Sequence, residues 1–467
     1  MNFLKIDGRH IVDQFGSNIV LRGVCLGGYL NMENFITGFP GQESNLRKVL
    51  ISELGEKRGT FFVERLLRHF LNESDFEFLK SIGVNVVRLP INYHHLEKDE
   101  KPFEYIEEGF EKIDRVVEMA KKWGIYVILD LHVAPGFQNN GWHCDNSIGV
   151  PLLWKHPHFQ ERTLKLWEAI AARYANEPAV AGYDMLNEPS APTPNHLSNF
   201  YRRLIESIRE KDQNHIIFLE SDVVLRKFKG FDDFDSSNLA YSSHNYLDMT
   251  LGGRSYPGYM RDKWIDKNAI EEEFIRTNDW VLKNNLAGWV GEFGAIFDGT
   301  VKDMHKINAL SDQIDVFEKH EHSWTIWTYK DVNVTAPVYV NPESEYIKRI
   351  ERILKIKHEL GTDYWGTHGG GILREFRDTI GMRISRTVGH NGLDIEGMKL
   401  NIYERGLLPI VGDYLACLYA NAFSDLNTGG IDKVLKEAFS FENCVIRPHL
   451  VEVLSSKMKR FGSGKMS

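Results

Sequence analysis

An eight-stranded parallel α/β barrel, (β/α)8, is the fold class this sequence predicts, and three observations carry the prediction. Eight short apolar runs, at residues 19–26, 84–90, 125–131, 179–187, 215–220, 239–244, 287–291 and 323–328, have the near-continuous hydrophobic character of buried parallel strands. Amphipathic stretches lie between them, at 72–82, 107–123, 158–175, 195–211, 269–285 and 308–320. No long series of strands runs on without a helix, which is the alternation of a parallel sheet. Eight strands close a barrel, and residues 19–330 hold the whole set with generous loops.

Taken in order, residues 3–18 read as a short hairpin, Phe3-Leu4-Lys5-Ile6 and Ile11-Val12-Asp13 turning at Asp7-Gly8, placed to plug the barrel floor. The first barrel run contains Gly23-Val24-Cys25-Leu26-Gly27-Gly28. Its glycines fall inside and just after the strand, with no phosphate-binding turn opening a helix, which disfavours an open doubly wound sheet. Further on, Phe110, Ile113, Val116, Val117 and Ala120 recur at helical spacing within 107–123. Beyond residue 345 come a charged helix (Glu343 to Leu360), a segment starting Gly361-Thr362-Asp363-Tyr364-Trp365, and apolar helical stretches at 408–422 and 431–438. No Pro-, Gly- or Ser-rich linker intervenes. The expected division is a barrel domain over 1–345 and a mostly helical extension over 346–467 packed on it.

The chain has 467 residues, 42% hydrophobic and 26% charged, enough for a full core. Its net charge of −9, with signs interspersed, argues against nucleic acid or an anionic membrane as partner. Twelve per cent aromatic residues, including ten Trp, is generous and suits flat sugar faces as well as core filling. Cys25, Cys144, Cys417 and Cys444 are scattered without CxxC spacing, so neither a zinc site nor a disulfide framework is expected. The N-terminus lacks a basic segment followed by a long apolar stretch, and no run of about 18 apolar residues occurs. A cytoplasmic protein is the expectation, with a trimmed secreted form as the alternative.

Two of the strand runs lead straight into a glutamate just past their last residue: Tyr183-Asp184-Met185-Leu186-Asn187-Glu188 and Trp289-Val290-Gly291-Glu292. An ionisable residue there lies where a strand leaves the core, the edge on which barrel active sites are built. Two carboxylates at that edge are the minimum equipment for cleaving a glycosidic bond, one to protonate the leaving oxygen and one to stand beneath the oxocarbenium ion. Glu188 is the expected acid, its pKa raised by the neighbouring carboxylate and the apolar strand end; Glu292 is the expected ionised nucleophile.

The succession Val86-Val87-Arg88-Leu89-Pro90, Leu129-Asp130-Leu131-His132, Leu186-Asn187-Glu188-Pro189, Ser243-His244-Asn245-Tyr246, Gly291-Glu292-Phe293-Gly294 and Thr325-Ile326-Trp327-Thr328 resembles glycoside hydrolase family 5, the retaining, cellulase-like family of (β/α)8 glycosidases. The likeness runs from about residue 18 to 330. It implies an acid/base after strand four and a nucleophile after strand seven, which are Glu188 and Glu292. Arg88 would hold Glu292 ionised through charge-assisted hydrogen bonds. Asn187 would donate to the sugar 2-hydroxyl, His132 would bind a hydroxyl, Tyr246 would bond the nucleophile, His244 would lie by the acid/base, and Trp327 would floor the sugar. Glu33, after the first strand, is a candidate grip on the terminal sugar. The long polar loop Pro135 to Asn146 resembles that of exo-acting members and brings in His143 and Asp145, although Phe137 stands where the resemblance implies serine.

The expected activity is a retaining β-glycosidase acting on a β-linked glucan or small β-glycoside, with a pocket that releases a terminal sugar. A transglycosylase on the same glutamates and a silent carbohydrate-binding barrel are the rivals. No HExxH pattern occurs, and His156-Pro157-His158 sits away from any strand end. Neither a catalytic metal nor a cofactor is expected. Sugar identity, linkage and oligomeric state are not legible in the sequence.

Overall fold

The computed structural model describes the chain except residues 223–227, 229, 232–233, 235–236, 248–249, 251, 253, 261, 363–364, 366–370, 390–391 and 463–467. Eight parallel strands close into a barrel: β1 Arg22–Cys25, β2 Val86–Asn92, β3 Tyr126–Val133, β4 Val180–Asp184, β5 Ile216–Glu220, β6 Leu239–His244, β7 Gly288–Glu292 and β8 Ser323–Ile326. Neighbours in the barrel are neighbours in sequence, and β8 returns to β1 with Trp324 opposite Arg22. All eight coincide with the apolar runs read from the sequence, for a simple reason. Helices cover the outside and side chains fill the inside, so almost every strand residue is buried and polar alternation is lost.

Each of the six amphipathic stretches forms a helix: Glu73–Ile82, Glu107–Lys122, Pro157–Tyr174, Pro194–Arg209, Lys267–Lys283 and Asp303–Lys319. Their ends follow local chemistry. Asn72 and Asp75 form a reciprocal capping box on Glu73–Ile82, which Gly83 ends at φ 99°. Losing the Asn72 cap would cost about 1 kcal/mol.

The hairpin Lys5–Asp7 with His10–Val12 closes the floor as expected. Leu4 and Ile11 pack with Leu21, Val86, Ile128, Ile216 and Trp289 in an apolar cluster of their own. Two helices after β1, Glu43–Leu54 and Glu56–Phe70, are absent from the sequence reading. They cross so closely at Gly59 that a Cβ there would stand 2.6 Å from the Ile51 nitrogen.

The charged helix beyond 343 is Glu345–Leu360, and the two apolar stretches are Leu408–Asn421 and Thr428–Phe439. Three further helices, Ile372–Val388, Ile395–Asn401 and Pro448–Gly462, went unread, as did a π-helical turn at Ile402–Leu407. Bonds tie these helices to the barrel side: Lys330 Nζ donates to the carbonyls of both Phe70 and Phe439 at 2.8 Å, and Val445–Ile446 pairs with Val338–Tyr339. No described helix is long and apolar enough to cross a membrane.

Candidate active site

Acidic and basic side chains from the six strands β2 to β7, with Glu33 beyond β1 and Trp327 beyond β8, converge at the C-terminal mouth of the barrel. Arg88, in β2, is fully buried at its centre. Its guanidinium meets Asp130 of β3 at 3.1 Å, Asp184 of β4 at 2.9 Å, Glu220 of β5 at 3.1 Å and Glu292 of β7 at 2.5 Å. It also donates to Asn187 Oδ1 at 2.8 Å. Burial works against its charge, but Asp130, Asp184 and Glu292 outweigh burial and keep it cationic. Four carboxylates around one guanidinium leave surplus negative charge in a dry site. Protons accommodate it: burial raises Asp184 well above its ordinary value and Asp130 to about 8, both against the pull of Arg88.

Glu292 ends β7 and is 5% exposed. Oε1 accepts from Arg88 Nη1 and Oε2 from the Tyr246 hydroxyl at 2.8 Å, so both oxygens are fixed in place. Burial, then the Glu292 charge, raises the Tyr246 phenol well above its ordinary value and keeps it a donor.

Glu188 is not the last residue of its strand. β4 ends at Asp184, and the chain runs on through Met185–Asn187 before Glu188 turns with φ +43°. A glutamate rarely adopts that conformation. Two bonds secure it: Glu188 N donates to Glu220 Oε2 at 2.7 Å, and its carbonyl accepts from Asn139 Nδ2 at 2.6 Å. The carboxylate then sits between two imidazoles, with His244 Nδ1 2.8 Å from Oε1 and His143 Nε2 3.2 Å from Oε2.

One oxygen of Glu188, one of Glu292 and one nitrogen of His244 lie within 4.8 Å of one another. Retaining glycosidases place their two carboxyls ~5–5.5 Å apart and inverting ones ~6.5–9.5 Å. The nearest oxygens of the two carboxylates are thus no more than 4.8 Å apart, on the side of the retaining spacing.

The expected raised pKa of Glu188 is overturned. Burial does push the carboxyl up, but the bond to His244 and the charges of His244 and His143 outweigh burial and hold it below the carboxylate range. His244 moves the other way. Burial lowers it, yet Glu220, Glu292 and Glu188 together raise it well above 6.5. The sequence suggested a carboxylate neighbour for Glu188; the fold supplies imidazoles first.

His132 stacks on Trp327 at 5.3 Å with 8° between the rings, directs Nδ1 to Asp130 at 2.8 Å, and has Nε2 3.3 Å from Asn187 Nδ2. Burial lowers its pKa to about 3, so it is neutral. Glu33 Oε1 lies 3.7 Å from His132 Nε2. Burial first, then Glu292 and Glu188, raises the Glu33 carboxyl well above its ordinary value. It is a further protonated carboxylic acid in the cluster.

Asp145 has a different place from the others. It accepts from Ser44 N and Oγ at 3.1 and 2.9 Å and from Asn92 Nδ2 at 3.0 Å, bracing the loop that carries His143. Asp130, Asp184 and Glu220 were missed, although each sits in an apolar strand run, the signal that found Glu188 and Glu292.

A family model described as cellulase (glycosyl hydrolase family 5) matches residues 56–333. A β-xylosidase of Phanerodontia chrysosporium is 33% identical over 479 residues, spanning 99% of this chain and all of that protein. The chain belongs to glycoside hydrolase family 5. It is an enzyme of a retaining family, with a carbohydrate as substrate. Among other family 5 relatives, a probable glucan 1,3-beta-glucosidase A of Emericella nidulans is 26% identical over 353 residues, covering 66% of this chain and 85% of its own. The crystal structure of an endogalactoceramidase superposes with TM-score 0.51 at 20% identity, covering 70% of this chain and 75% of that one, a likeness of fold alone.

Proposed function

We propose that this chain is an exo-acting β-glycosidase that removes a terminal β-linked sugar by double displacement, with Glu292 as nucleophile and Glu188 as acid/base. The observation that carries it is the 4.8 Å grouping of the two carboxylates with His244, together with the Arg88 and Tyr246 bonds that fix both oxygens of Glu292. Glu292 attacks the anomeric carbon while Glu188 protonates the departing oxygen. Glu188 then takes a proton from the water that releases the sugar.

The low pKa of Glu188 is compatible with this role because Glu188 and His244 hold one proton between them. At rest it lies on the imidazole. A bound sugar excludes water and disfavours the charged pair, which moves the proton to the carboxyl where the leaving oxygen needs it.

Two features support a pocket rather than an open groove. Glu33, as a neutral acid beside His132, can both donate to and accept from a sugar hydroxyl, and the loop carrying His143 folds down onto Glu188. The full-length relative described as a β-xylosidase makes a xyloside the first substrate to try, and the relatives described as glucan 1,3-beta-glucosidases make a glucoside the second. The test is a panel of aryl β-glycosides, with the anomer first released on the best substrate followed by NMR. The β-anomer appearing first supports the reading; the α-anomer appearing first ends it.

A further inference from the structure

The helices beyond residue 345 are fastened to the loops that close the sugar end of the pocket. In Glu345–Leu360, the buried Lys357 ammonium donates to the carbonyls of Asn34 at 2.8 Å and Phe39 at 3.1 Å, bracketing the turn that follows Glu33. Asn34 donates from its amide to the Thr362 carbonyl at 3.1 Å, and the Tyr346 hydroxyl donates to the Thr37 carbonyl at 2.7 Å.

The helix Leu408–Asn421 lies on the next stretch of that loop. A Cβ at Gly412 would stand 2.3 Å from the Pro40 oxygen, so only glycine permits the approach. Asp413 Oδ1 accepts from Asn45 Nδ2 at 3.0 Å and from Gln42 N at 3.3 Å. The π-helical turn before it meets the loop after β3, where a Cβ on Gly149 would lie 2.8 Å from the Arg405 Cβ. A narrow cleft bordered by Glu33, Gln42, Trp142, Leu408 and Pro409 marks where these segments meet.

One side chain of the extension reaches the reacting carboxylate through a single intermediary. The Trp365 ring stands at 66° to Tyr246, 4.9 Å away, and 5.9 Å from Phe35. Phe35 packs edge-on to Trp142 at 6.4 Å, which extends the aromatic contacts to the loop after β3. Tyr246 is the donor to Glu292 Oε2 at 2.8 Å. A phenol aimed by one hydrogen bond keeps its aim only if its ring is walled in, and Trp365 is part of that wall.

We propose that the C-terminal extension is part of the active site. Trp365 is a positioning residue that holds Tyr246 on Glu292, and Leu408 with Pro409 shuts the sugar end so that only a chain end can enter. The closure rests on the exo reading above; the role of Trp365 does not.

The test uses the full chain and the aryl β-glycoside that the wild type cleaves best. Trp365→Ala is expected to lose about 10²-fold in kcat/KM, chiefly in kcat, with an unchanged melting temperature. Trp365→Phe should recover most of the loss. A packing role alone would lower the melting temperature and leave kcat per active site, titrated with a 2-deoxy-2-fluoro glycoside, intact. Should Trp365→Ala fail to fold, Trp365→Leu keeps apolar bulk without an aromatic edge and carries the same expectation. A kcat within about twofold of wild type in the folded variant overturns the assignment.

For the closure, Leu408→Ala combined with Pro409→Ala should introduce internal cuts in a reducing-end-labelled oligosaccharide. An unchanged product pattern overturns it. Internal cuts by the wild type itself overturn the exo reading and the closure together, and leave the Trp365 kinetics to decide the other half.

Discussion

Glu188 and His244 share a 2.8 Å bond from Oε1 to Nδ1, and their pKa values are driven apart, the carboxyl down and the imidazole well up. The pair therefore loses its common proton only at a pH well above 6.5. General-acid catalysis should persist to that pH. In His244→Asn the proton has Glu188 alone to hold it, so the alkaline limb of kcat/KM should move to lower pH. A pH profile on an aryl glycoside with a poor leaving group checks this; an unmoved limb would show that His244 takes no part in holding the proton.

Glu188→Ala removes the proton donor but leaves Glu292 with its Arg88 and Tyr246 bonds. Cleavage of alkyl glycosides should fall about 10²–10⁴-fold, while dinitrophenyl glycosides, which leave without protonation, should still form the glycosyl enzyme at near wild-type rates. Pre-steady-state bursts on the two substrate types separate the cases. Equal losses on both would mean that Glu188 is not the acid.

Among the described residues, Arg88 is the one guanidinium that meets Asp130, Asp184, Glu220 and Glu292. Arg88→Met should destabilise the fold by about 3–5 kcal/mol at neutral pH, because it leaves buried carboxylates without their counter-charge. The deficit should shrink as pH falls and those carboxylates take up protons. Urea unfolding at two pH values measures both effects.

Asp130 gives the wild-type fold a pH dependence of its own. Its folded pKa of about 8 lies above the ordinary 3.8, so the folded state binds the proton more tightly than the unfolded state does. That contribution to stability is fully present below about pH 4 and is lost as pH rises through about 8. Asp130→Asn, which mimics the protonated form, should flatten this part of the stability profile. An unchanged slope in the variant would place the proton elsewhere in the cluster.

What could be read in advance followed from what the residues do locally. The strands were legible because residues such as Val86-Val87 and Ile128-Leu129 are buried on both faces and leave unbroken apolar runs. Glu292 was legible because it truly ends such a run. Glu188 was found by the same rule although it lies beyond its strand, held by Glu220 and Asn139 from elsewhere in the chain, and nothing local announces its positive φ. His244 is expected beside it from the sequence, but the direction of its pKa turns on that imidazole carrying the shared proton and on His143, 45 positions away in sequence, closing on the other oxygen, and both are set only in the folded barrel. The Glu56–Phe70 helix carries a helical stripe of Phe62, Leu66 and Phe70 in its sequence.

The most direct test of the central claim, that Glu292 attacks and Glu188 assists from across the sugar, is covalent trapping. The enzyme is incubated with a 2-deoxy-2-fluoro glycoside bearing a good leaving group, digested, and its peptides are mapped by mass spectrometry. One fluorosugar per chain, on Glu292 and absent from Glu292→Gln, is the predicted result. A label on Glu188 or Glu33 would contradict the account.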